Sequence, residues 1–431
     1  MSTTIPELSR ILQALLIQDA DAIGRSSGFI QRQRKFKGSS FAQSLIFGWQ
    51  ANPQASLEEL CQSACASGVT ISPQGLQDRL NRPQAATFMR QLLERAMSYV
   101  VESQTEGSDL LARFAGVYIQ DSTIIELPLA LREIWTGCGS QKRQQAGLKI
   151  QTLLNYQQGH LSLHLAQAKQ HDCPLQTLDL PSGSLSLADV GYFKVANFEH
   201  LSQHGVWWVT RLPVRVGIWQ HDHVQHLADF LAQYPTDVVD VPIELSAQRL
   251  ACRLIAVRVA DTVTQQRRAR AKDEARQRPH NLRSTTLDLC GWTILVTNLH
   301  PEQLTVEEAL TLLRLRWQIE LLFKLWKQIL RVDKWRSHHP WQILTEVYAK
   351  LLIALIQHWL CVIAGWHNPQ RSLVKACLLL RKLAFPLLIA LPHWHALIAA
   401  LTHIFTQLPR CLIQKRKTRP AAFQLLDRVW S

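Results

Sequence analysis

The chain has 431 residues, with 47 Lys and Arg against 33 Asp and Glu, which gives a formal net charge of +14. This length supports a large core with one or two further domains, and the charge favours a polyanion such as nucleic acid as partner, although a basic protein without one stays an alternative. The nine cysteines form no paired framework, which argues against a disulfide scaffold and fits a reducing cytoplasm.

The N-terminal region, residues 1–110, is predicted to be helical and to bind DNA. Ser56 and Glu59 form a capping box for one short helix, and Ser72 caps a second one after a turn that contains glycine. Two short helices joined in this way resemble a helix-turn-helix over residues 56–81. An ordinary helical hairpin explains the pattern equally well.

The second of these helices supplies the candidate DNA contacts of the N-terminal region. Gln77 and Arg79 are of the types that bind base edges or phosphates from a recognition helix. Further upstream, residues 32–37 carry four Arg and Lys side chains. That segment follows a DNA backbone or is simply solvated, and the sequence leaves both interpretations open.

A change to strand periodicity begins near Gly116. The stretch at residues 116–128 alternates as a strand so that Val117, Ile119 and Asp121 share one face, and an Asp-Ser-Thr turn is predicted to end the strand at Asp121. An acidic side chain on the apolar phase of a strand needs a reason. It either caps the turn or binds a metal ion at the end of the strand.

The sequence from residue 146 to Arg211 predicts a hairpin and two further strands. Residues 146–156 and 160–168 are predicted to pair as a hairpin, and a later strand ends at Asp189, in the sequence Ala-Asp-Val-Gly-Tyr. A helix and one more strand, Val206 to Arg211, follow. The order is therefore three strands, then strand, helix and strand.

Residues 212–290 are predicted to be an inserted, mainly β domain that ends in a basic segment. The segment from Arg267 to Arg283 contains seven Arg or Lys residues, only two acidic ones and no apolar run. It is interpreted either as a solvated linker or as a DNA-backbone contact that lacks order without DNA. The candidate contacts in this segment are Arg267, Arg268 and Arg270.

One long helix is predicted from Thr305 to Arg331, because Thr305 and Glu308 form a capping box and nothing helix-breaking follows. At about 100° per residue, one face is apolar. The residues assigned to that core face are Leu315, Ile319, Leu322, Trp326 and Ile329. The residues on the opposite polar stripe are Arg316, Glu320, Lys324 and Lys327.

The C-terminal region, residues 336–431, is predicted to be helical with a basic tail from Lys415 to Pro420. Its longest apolar run, Leu351 to Trp366, contains Gln357 and His358 and is shorter than the roughly 20 residues that cross a bilayer. A buried helix is therefore predicted. The N-terminus is not typical of a secretory signal, so a cytoplasmic, nucleoid-associated protein is expected.

The polar stripe has two interpretations. Its residues can be i,i+4 surface pairs, each contributing about 0.2–0.5 kcal/mol. The alternative rests on the spacing Arg316-x3-Glu320-x6-Lys327 after a predicted strand at residues 293–298. This resembles the Tyr-x2-Arg-x3-Glu-x6-Lys signature of bacterial insertion-sequence DDE transposases, the family that includes the Tn-five type enzymes. Leu313 stands where that signature has tyrosine.

The resemblance implies an α/β fold with a ribonuclease-H-like catalytic core, formed by residues 111–211 and 291–335. It also implies that Asp121, Asp189 and Glu320 are the catalytic carboxylates and the ligands of two Mg²⁺ ions, with Mn²⁺ as a substitute. Carboxylates without His or Cys suit a hard cation of this kind. Arg316, Lys324, Lys327 and Trp317 are then expected to contact DNA.

The function that the resemblance implies is metal-dependent cleavage at the ends of an insertion sequence and strand transfer into target DNA. The expected partner is double-stranded DNA, in a synaptic complex that contains a homodimer. Two alternatives remain: a DNA-binding regulator with the same fold and no activity, and a ribonuclease-H-fold nuclease without strand transfer.

Overall fold

The computed structural model describes most of the chain. The described residues are 2–32, 36–103, 108–139, 144–170, 179–220, 223–277, 283–414 and 424–426. Arg34 and Lys35 of the N-terminal basic segment, and the basic tail from Lys415 to Pro420, lie outside these ranges.

Within the described residues, the helices are α1 (Ile5–Gln13), α2 (Ala20–Ser26), α3 (Gly38–Ala51), α4 (Leu57–Ala66), α5 (Pro73–Leu80), α6 (Pro83–Met97), α7 (Asp109–Ala112), α8 (Val195–Gln203), α9 (Leu227–Ala232), α10 (Asp261–Gln277), α11 (Ser284–Leu289), α12 (Val306–Leu315), α13 (Trp317–Gln328), α14 (Pro340–Gly365), α15 (Leu373–Lys382), α16 (Ala384–Ala390) and α17 (Trp394–Gln407). The strands are β1 (Val117–Leu127), β2 (Ala146–Asn155), β3 (Leu161–Gln167), β4 (Leu185–Ala188), β5 (Trp207–Arg211), β6 (Ile218–Gln220), β7 (His223–Gln225), β8 (Val238–Leu245), β9 (Leu250–Arg258) and β10 (Trp292–Thr297). The mixture of strands and helices confirms the predicted α/β class.

The chain divides into two compact units. The helical unit consists of Met1–Gly107, Ser122–His171 and Gln318–Phe423. The sheet unit consists of Ser108–Asp121, Asp172–Trp317 and Gln424–Ser431. Strand β1 and helix α13 each contribute residues to both units, and each unit is described by itself below.

The sheet unit contains a mixed sheet in the order β1-β4-β5-β10-β9-β8-β6-β7. Strands β1, β4 and β5 are parallel, whereas β10 is antiparallel to both β5 and β9. Helix α8 connects β4 to β5, as parallel neighbours require a crossover. The strand, helix and strand that end at Arg211 are therefore confirmed, and so is the strand predicted at residues 293–298.

The predicted insert forms β6 to β9 and helices α9 to α11. Strands β8 and β9 pair along their whole length, and β9 also pairs with β10, so these strands continue the same sheet. The first part of the basic segment is neither a linker nor a segment that lacks order without DNA, so both interpretations were wrong about its structure. That part is α10, whose arginines and alanines have high helix propensity even though Thr264 is the one residue that the helix buries.

The prediction that β1 ends at Asp121 was also wrong. The strand continues to Leu127, and Asp121 lies in its middle. Only residues 117–120 pair with β4, and the second half of the strand lies beside β2. The Asp-Ser-Thr turn signal is overridden because the β-branched residues that follow favour a pleated, half-buried surface.

The helical unit has its core around α3 and α14, which are buried along most of their length. Helix α14 is the one described helix that is long and apolar enough to cross a membrane, but 94% of its most apolar window is buried inside the protein. The prediction of a buried helix is therefore confirmed.

The predicted β2–β3 hairpin is confirmed in this unit, with Leu148 opposite Gln167 and Leu154 opposite Leu161. The turn contains Gly159 at φ +76°, where a Cβ atom would lie 2.8 Å from the side chains of Val362 and Trp366. Only glycine combines this backbone conformation with so close an approach to α14.

The helix predicted from Thr305 to Arg331 is two helices that meet at Arg316. The Thr305–Glu308 capping box is present at the start of α12, and α13 ends at Gln328. The apolar face is confirmed for Ile319 and Leu322, which are buried, each burial contributing about 1.5–3 kcal/mol. The interpretation of Arg316 as part of an i,i+4 surface pair was wrong, because its side chain is only 6% exposed.

The two predicted N-terminal helices are α4 and α5. The Ser56 and Glu59 capping box is present, and Ser72 accepts a hydrogen bond from the backbone N–H of Gly75. Gly68 has φ +82°, which lets the chain turn between the helices. These contacts confirm the two helices and their caps.

Candidate active site

Two carboxylates of the sheet unit lie at the same edge of neighbouring parallel strands. The last paired residues of β1 and β4 are Gln120 and Ala188, which are opposite each other. Asp121 and Asp189 are the residues that directly follow Gln120 and Ala188 in the sequence. Because the strands run in the same direction, both carboxylates come at the carboxyl end of the β1–β4 ladder.

Arg316 contacts both of these carboxylates. Its Nη1 donates a hydrogen bond to Oδ2 of Asp121 at 3.2 Å, and its Nη2 lies 3.5 Å from Oδ1 of Asp189. The side chain of Asp121 is 15% exposed and that of Asp189 is 41% exposed. One buried guanidinium therefore joins two carboxylates of different exposure, which its planar fork of donors allows.

The position of Arg316 is fixed by the way in which α12 begins and ends. At the start of α12, Arg113 Nη2 lies 2.7 Å from Oε1 of Glu308, the acidic partner of the capping box. Burial raises the pKa of Glu308, but its hydrogen bonds with Thr305 and Arg113 outweigh this effect and hold the pKa below its usual value. At the other end, the backbone N–H of Arg316 donates to Leu312.

Helix α13 carries the remaining residues of the predicted stripe. Trp317 is its first residue and 51% exposed, and Glu320 lies in its first turn. Lys324 is exposed. Nζ of Lys327 donates to the backbone carbonyl of Ile124 on β1 at 3.0 Å. The stripe is therefore mixed, with a buried cation at Arg316 and a solvated one at Lys324.

The structure brings together Asp121, Asp189 and Arg316 from three separate segments of the sheet unit. Glu320 belongs to the part of α13 that is assigned to the helical unit. Across the described ranges, no three His, Cys, Asp or Glu side chains form a group that could hold a metal ion by themselves. The paired aspartates supply oxygen ligands of the type that hard divalent cations prefer.

The two N-terminal candidates have different surroundings. Gln77 is half-buried on α5. The guanidinium of Arg79 donates to the carbonyl of Gly75 at 2.9 Å and lies 5.1 Å from the ring centroid of Phe36, and burial lowers its pKa. Arg79 thus stabilises the attachment of α5 to the rest of the helical unit.

The three candidate arginines of α10 also differ. Arg267 anchors the helix, because its Nη1 donates to the carbonyl of Trp292 at 2.7 Å and its Nη2 donates to Thr293 at 3.1 Å. Arg268 is exposed and donates to the carbonyl of Leu287. Arg270 pairs with Glu274 one turn further along, at 3.0 Å, and both side chains are exposed.

Sequence reasoning missed two polar contacts outside the predicted stripe, one in each unit. Arg113 had no local pattern that could reveal its contact with Glu308. Glu346 and Lys350, by contrast, are two opposite charges one turn apart inside the apolar helix α14, and their location in that run was a usable signal. An ion pair in a core helix needs partners for its remaining polar atoms.

The mixed sheet with helices fits the class of ribonuclease-H-like folds. A family model described as "Transposase DDE domain" matches residues 112–356, more than half of the chain. The chain therefore belongs to the DDE transposase family.

Curated relatives extend this match over most of the chain. The transposase for insertion sequence element IS231B of Bacillus thuringiensis subsp. berliner is 27% identical over 376 residues, which cover 81% of this chain and 78% of the relative. The transposase for insertion sequence element IS1151 of Clostridium perfringens is 22% identical, over 83% of this chain and 80% of the relative. The protein is an enzyme, a transposase of a bacterial insertion sequence, and its family generally uses divalent metal ions.

Proposed function

We propose that the protein cleaves DNA at the ends of its own insertion sequence and joins those ends to target DNA, with Asp121, Asp189 and Glu320 as the catalytic carboxylates. The observation that carries this proposal is the pair of aspartates that one buried guanidinium contacts at the carboxyl end of the β1–β4 ladder. A turn does not explain Asp121, since β1 continues beyond it. Asp189 precedes a short 3-10 turn, but its side chain makes no capping hydrogen bond there.

The cofactor that suits these residues is Mg²⁺, bound as two ions, with Mn²⁺ as a substitute. The support is the chemistry of the donors, because carboxylate oxygens without His or Cys are the ligands that Mg²⁺ prefers. Asp121, Asp189 and Glu320 would hold the ions. When bound, such ions activate the attacking oxygen and stabilise the leaving oxygen of a phosphodiester.

Arg316 has two roles in this proposal. In the free protein its charge offsets the repulsion between Asp121 and Asp189, whose oxygens it contacts at 3.2 and 3.5 Å. In the complex with DNA its guanidinium is the donor for a phosphate at the cleaved strand end, where a bidentate fork is effective. Signature position 313 holds a buried leucine, so that position provides packing and no hydroxyl.

The DNA contacts that we propose are made mainly by side chains that are exposed to solvent. Lys324 and Trp317 are exposed on α13, and Arg268 and Arg270 are exposed on α10. Gln77 is half-buried on α5, where its amide can still read a base edge. Lys327, Arg79 and Arg267 donate to backbone carbonyls, so their main contribution is to hold these elements in place.

A homodimer is the assembly that we propose for the complex with two element ends. The support lies in the helical unit, where α15 and α16 expose large apolar side chains. These are Val374, Leu378, Phe385 and Ile389. They are spaced four residues apart within each helix, which gives each helix an apolar stripe that a second copy could cover.

The test is incubation of the purified protein with a labelled duplex that carries the element's own end, an unlabelled target plasmid, and either Mg²⁺ or EDTA. We expect cleavage at the element end and joined products in Mg²⁺, and neither in EDTA. Cleavage without joined products would support the nuclease alternative. Sequence-specific binding without any cleavage would support the regulator alternative.

A further inference from the structure

A buried ion pair in α14 holds the chain where it leaves α13. Nζ of Lys350 lies 2.6 Å from Oε1 of Glu346, and the two side chains are 1% and 4% exposed. The same Nζ donates to the carbonyl of Lys334 at 2.7 Å and to the carbonyl of Arg331 at 3.2 Å. An ammonium group has three donors, and all three have acceptors here.

The backbone at the end of α13 needs this support. Arg331 has φ +51°, a left-handed conformation that costs a residue with a Cβ atom about 1–2 kcal/mol. Just before it, the carbonyl of Ile329 accepts a hydrogen bond from Nη2 of Arg381 at 2.7 Å. Cations from α14 and α15 thus bind carbonyls of the segment that follows α13, beyond the negative end of the helix dipole.

The pair is a poor device for stability alone. Burial lowers the pKa of Lys350 and raises that of Glu346, which shows that both charged forms are penalised by lost solvation. A well-packed apolar pair of similar volume is often as stabilising as a buried ion pair, or more so. The property that an apolar pair lacks is direction, because only the ammonium fixes the two carbonyls at a set distance and angle.

We infer that the Glu346–Lys350 pair is a positioning element for the transposase reaction, which sets the axial position and rotation of α13. Leu322 and Trp326 of α13 line the same small cavity as Ala354 and Cys361 of α14, and apolar surfaces of this kind resist separation of the helices but allow sliding. The hydrogen bonds from Lys350 to the carbonyls of Lys334 and Arg331 oppose such sliding. This inference rests on the proposed function, because it matters for cleavage only if α13 carries a catalytic residue, Glu320.

The experiment replaces the pair by an apolar one, Glu346→Leu with Lys350→Met, in the full chain. We expect an unchanged or higher melting temperature and a DNA affinity within twofold of the wild type. We also expect amide hydrogen exchange at residues 325–334 to become at least tenfold faster. Cleavage should be at least tenfold slower, and half-maximal cleavage should need at least threefold more Mg²⁺.

A matched control is Arg90→Met with Glu94→Leu, which removes an i,i+4 pair of the same unit whose side chains are 42% and 49% exposed. It should change neither exchange at residues 325–334 nor the cleavage rate.

Unchanged exchange in the variant of the buried pair would overturn the inference, whether or not the protein cuts DNA. Faster exchange with wild-type cleavage would overturn it as well, because α13 would then tolerate the loss. A wild-type protein that binds element ends without cutting them would refute the proposed function, whereas the exchange measurement would still decide whether the pair holds α13.

Discussion

The α12–α13 junction and helix α10 carry similar patterns of closely spaced charges, but the structure gives their arginines opposite surroundings. Arg316 is 6% exposed and contacts two carboxylates from distant parts of the sequence. Helix α10 buries only Thr264, and Arg270 pairs with a neighbour on its own surface. The comparison teaches that burial and the origin of the partners, more than the spacing of charges, separate a site from a solvated face.

This difference has an energetic meaning. An exposed i,i+4 pair contributes about 0.3–0.5 kcal/mol and weakens with salt, whereas a buried charge must be matched by partners or it destabilises the fold. The junction of α12 and α13 therefore buries a charged group, although an exposed residue at this position would lose less solvation free energy. A requirement of the reaction is the reason that we propose for this arrangement.

The largest effect is expected from the carboxylates themselves. Asp121→Asn, Asp189→Asn and Glu320→Gln should each lower strand cleavage by about a hundredfold or more, because each would remove a ligand of the ions that act on the transferring phosphate. DNA affinity should change little, since binding depends mainly on phosphate contacts elsewhere. The measurement is single-turnover cleavage of the element-end duplex beside a filter-binding assay. If a variant keeps near-wild-type cleavage in Mg²⁺, the replaced residue is not a catalytic carboxylate.

An intermediate effect is expected from Arg316. Arg316→Ala should slow cleavage tenfold or more, which corresponds to about 1.4 kcal/mol of lost transition-state stabilisation. It should also destabilise the metal-free protein by about 1–2 kcal/mol, because two carboxylates then lose the guanidinium that contacts both. Thermal melts in EDTA and in Mg²⁺ test this second effect, and we expect the cation to restore part of the loss.

Arg316→Lys is the control for this prediction, since lysine keeps the charge but cannot contact two carboxylates through a planar fork. Its stability should lie between those of the wild type and the alanine variant. Equal melting temperatures and full activity for both variants would remove Arg316 from the site.

Much of the fold was accessible from the sequence, because strands alternate and helices carry caps. The β2–β3 hairpin, the strand that ends at Asp189 and the caps at Ser56 and Thr305 were all predicted from local patterns that tertiary packing did not oppose. The full length of β1 was not predicted, because its second half pairs with β2. This long-range contact competes with the turn signal at Asp121.

The candidate site was predicted only in part. Asp121, Asp189 and Arg316 were selected from spacing and resemblance, and the structure brings these three together. The roles of Arg79 and Arg267 could not be predicted, because a count of charges does not show that a guanidinium stacks on Phe36 or binds the carbonyl of Trp292. Such contacts depend on residues that are far apart in the sequence.

The smallest effect on the reaction is expected from α10. Replacement of Arg268, Arg270 and Arg276 by alanine should leave the cleavage rate at saturating DNA unchanged, because these exposed side chains lie on a helix with no catalytic residue. If they bind phosphates, each releases about one counter-ion on binding, so the slope of log affinity against log salt should become shallower by up to about three units. Stability should fall by less than about 1 kcal/mol, as is usual for exposed pairs.

Arg267→Ala is the matched control on the same helix, and it should behave in the opposite way. Its guanidinium donates to the carbonyl of Trp292 and to the hydroxyl of Thr293 at the start of β10, so the variant loses stability because both acceptors lose a charged donor. Its salt slope should stay close to that of the wild type. Affinity measured at four or more salt concentrations, with a thermal melt of each variant, separates the two kinds of arginine. A triple variant whose slope is unchanged would make α10 a solvated helix, and DNA recognition would then have to rest on the other exposed cations.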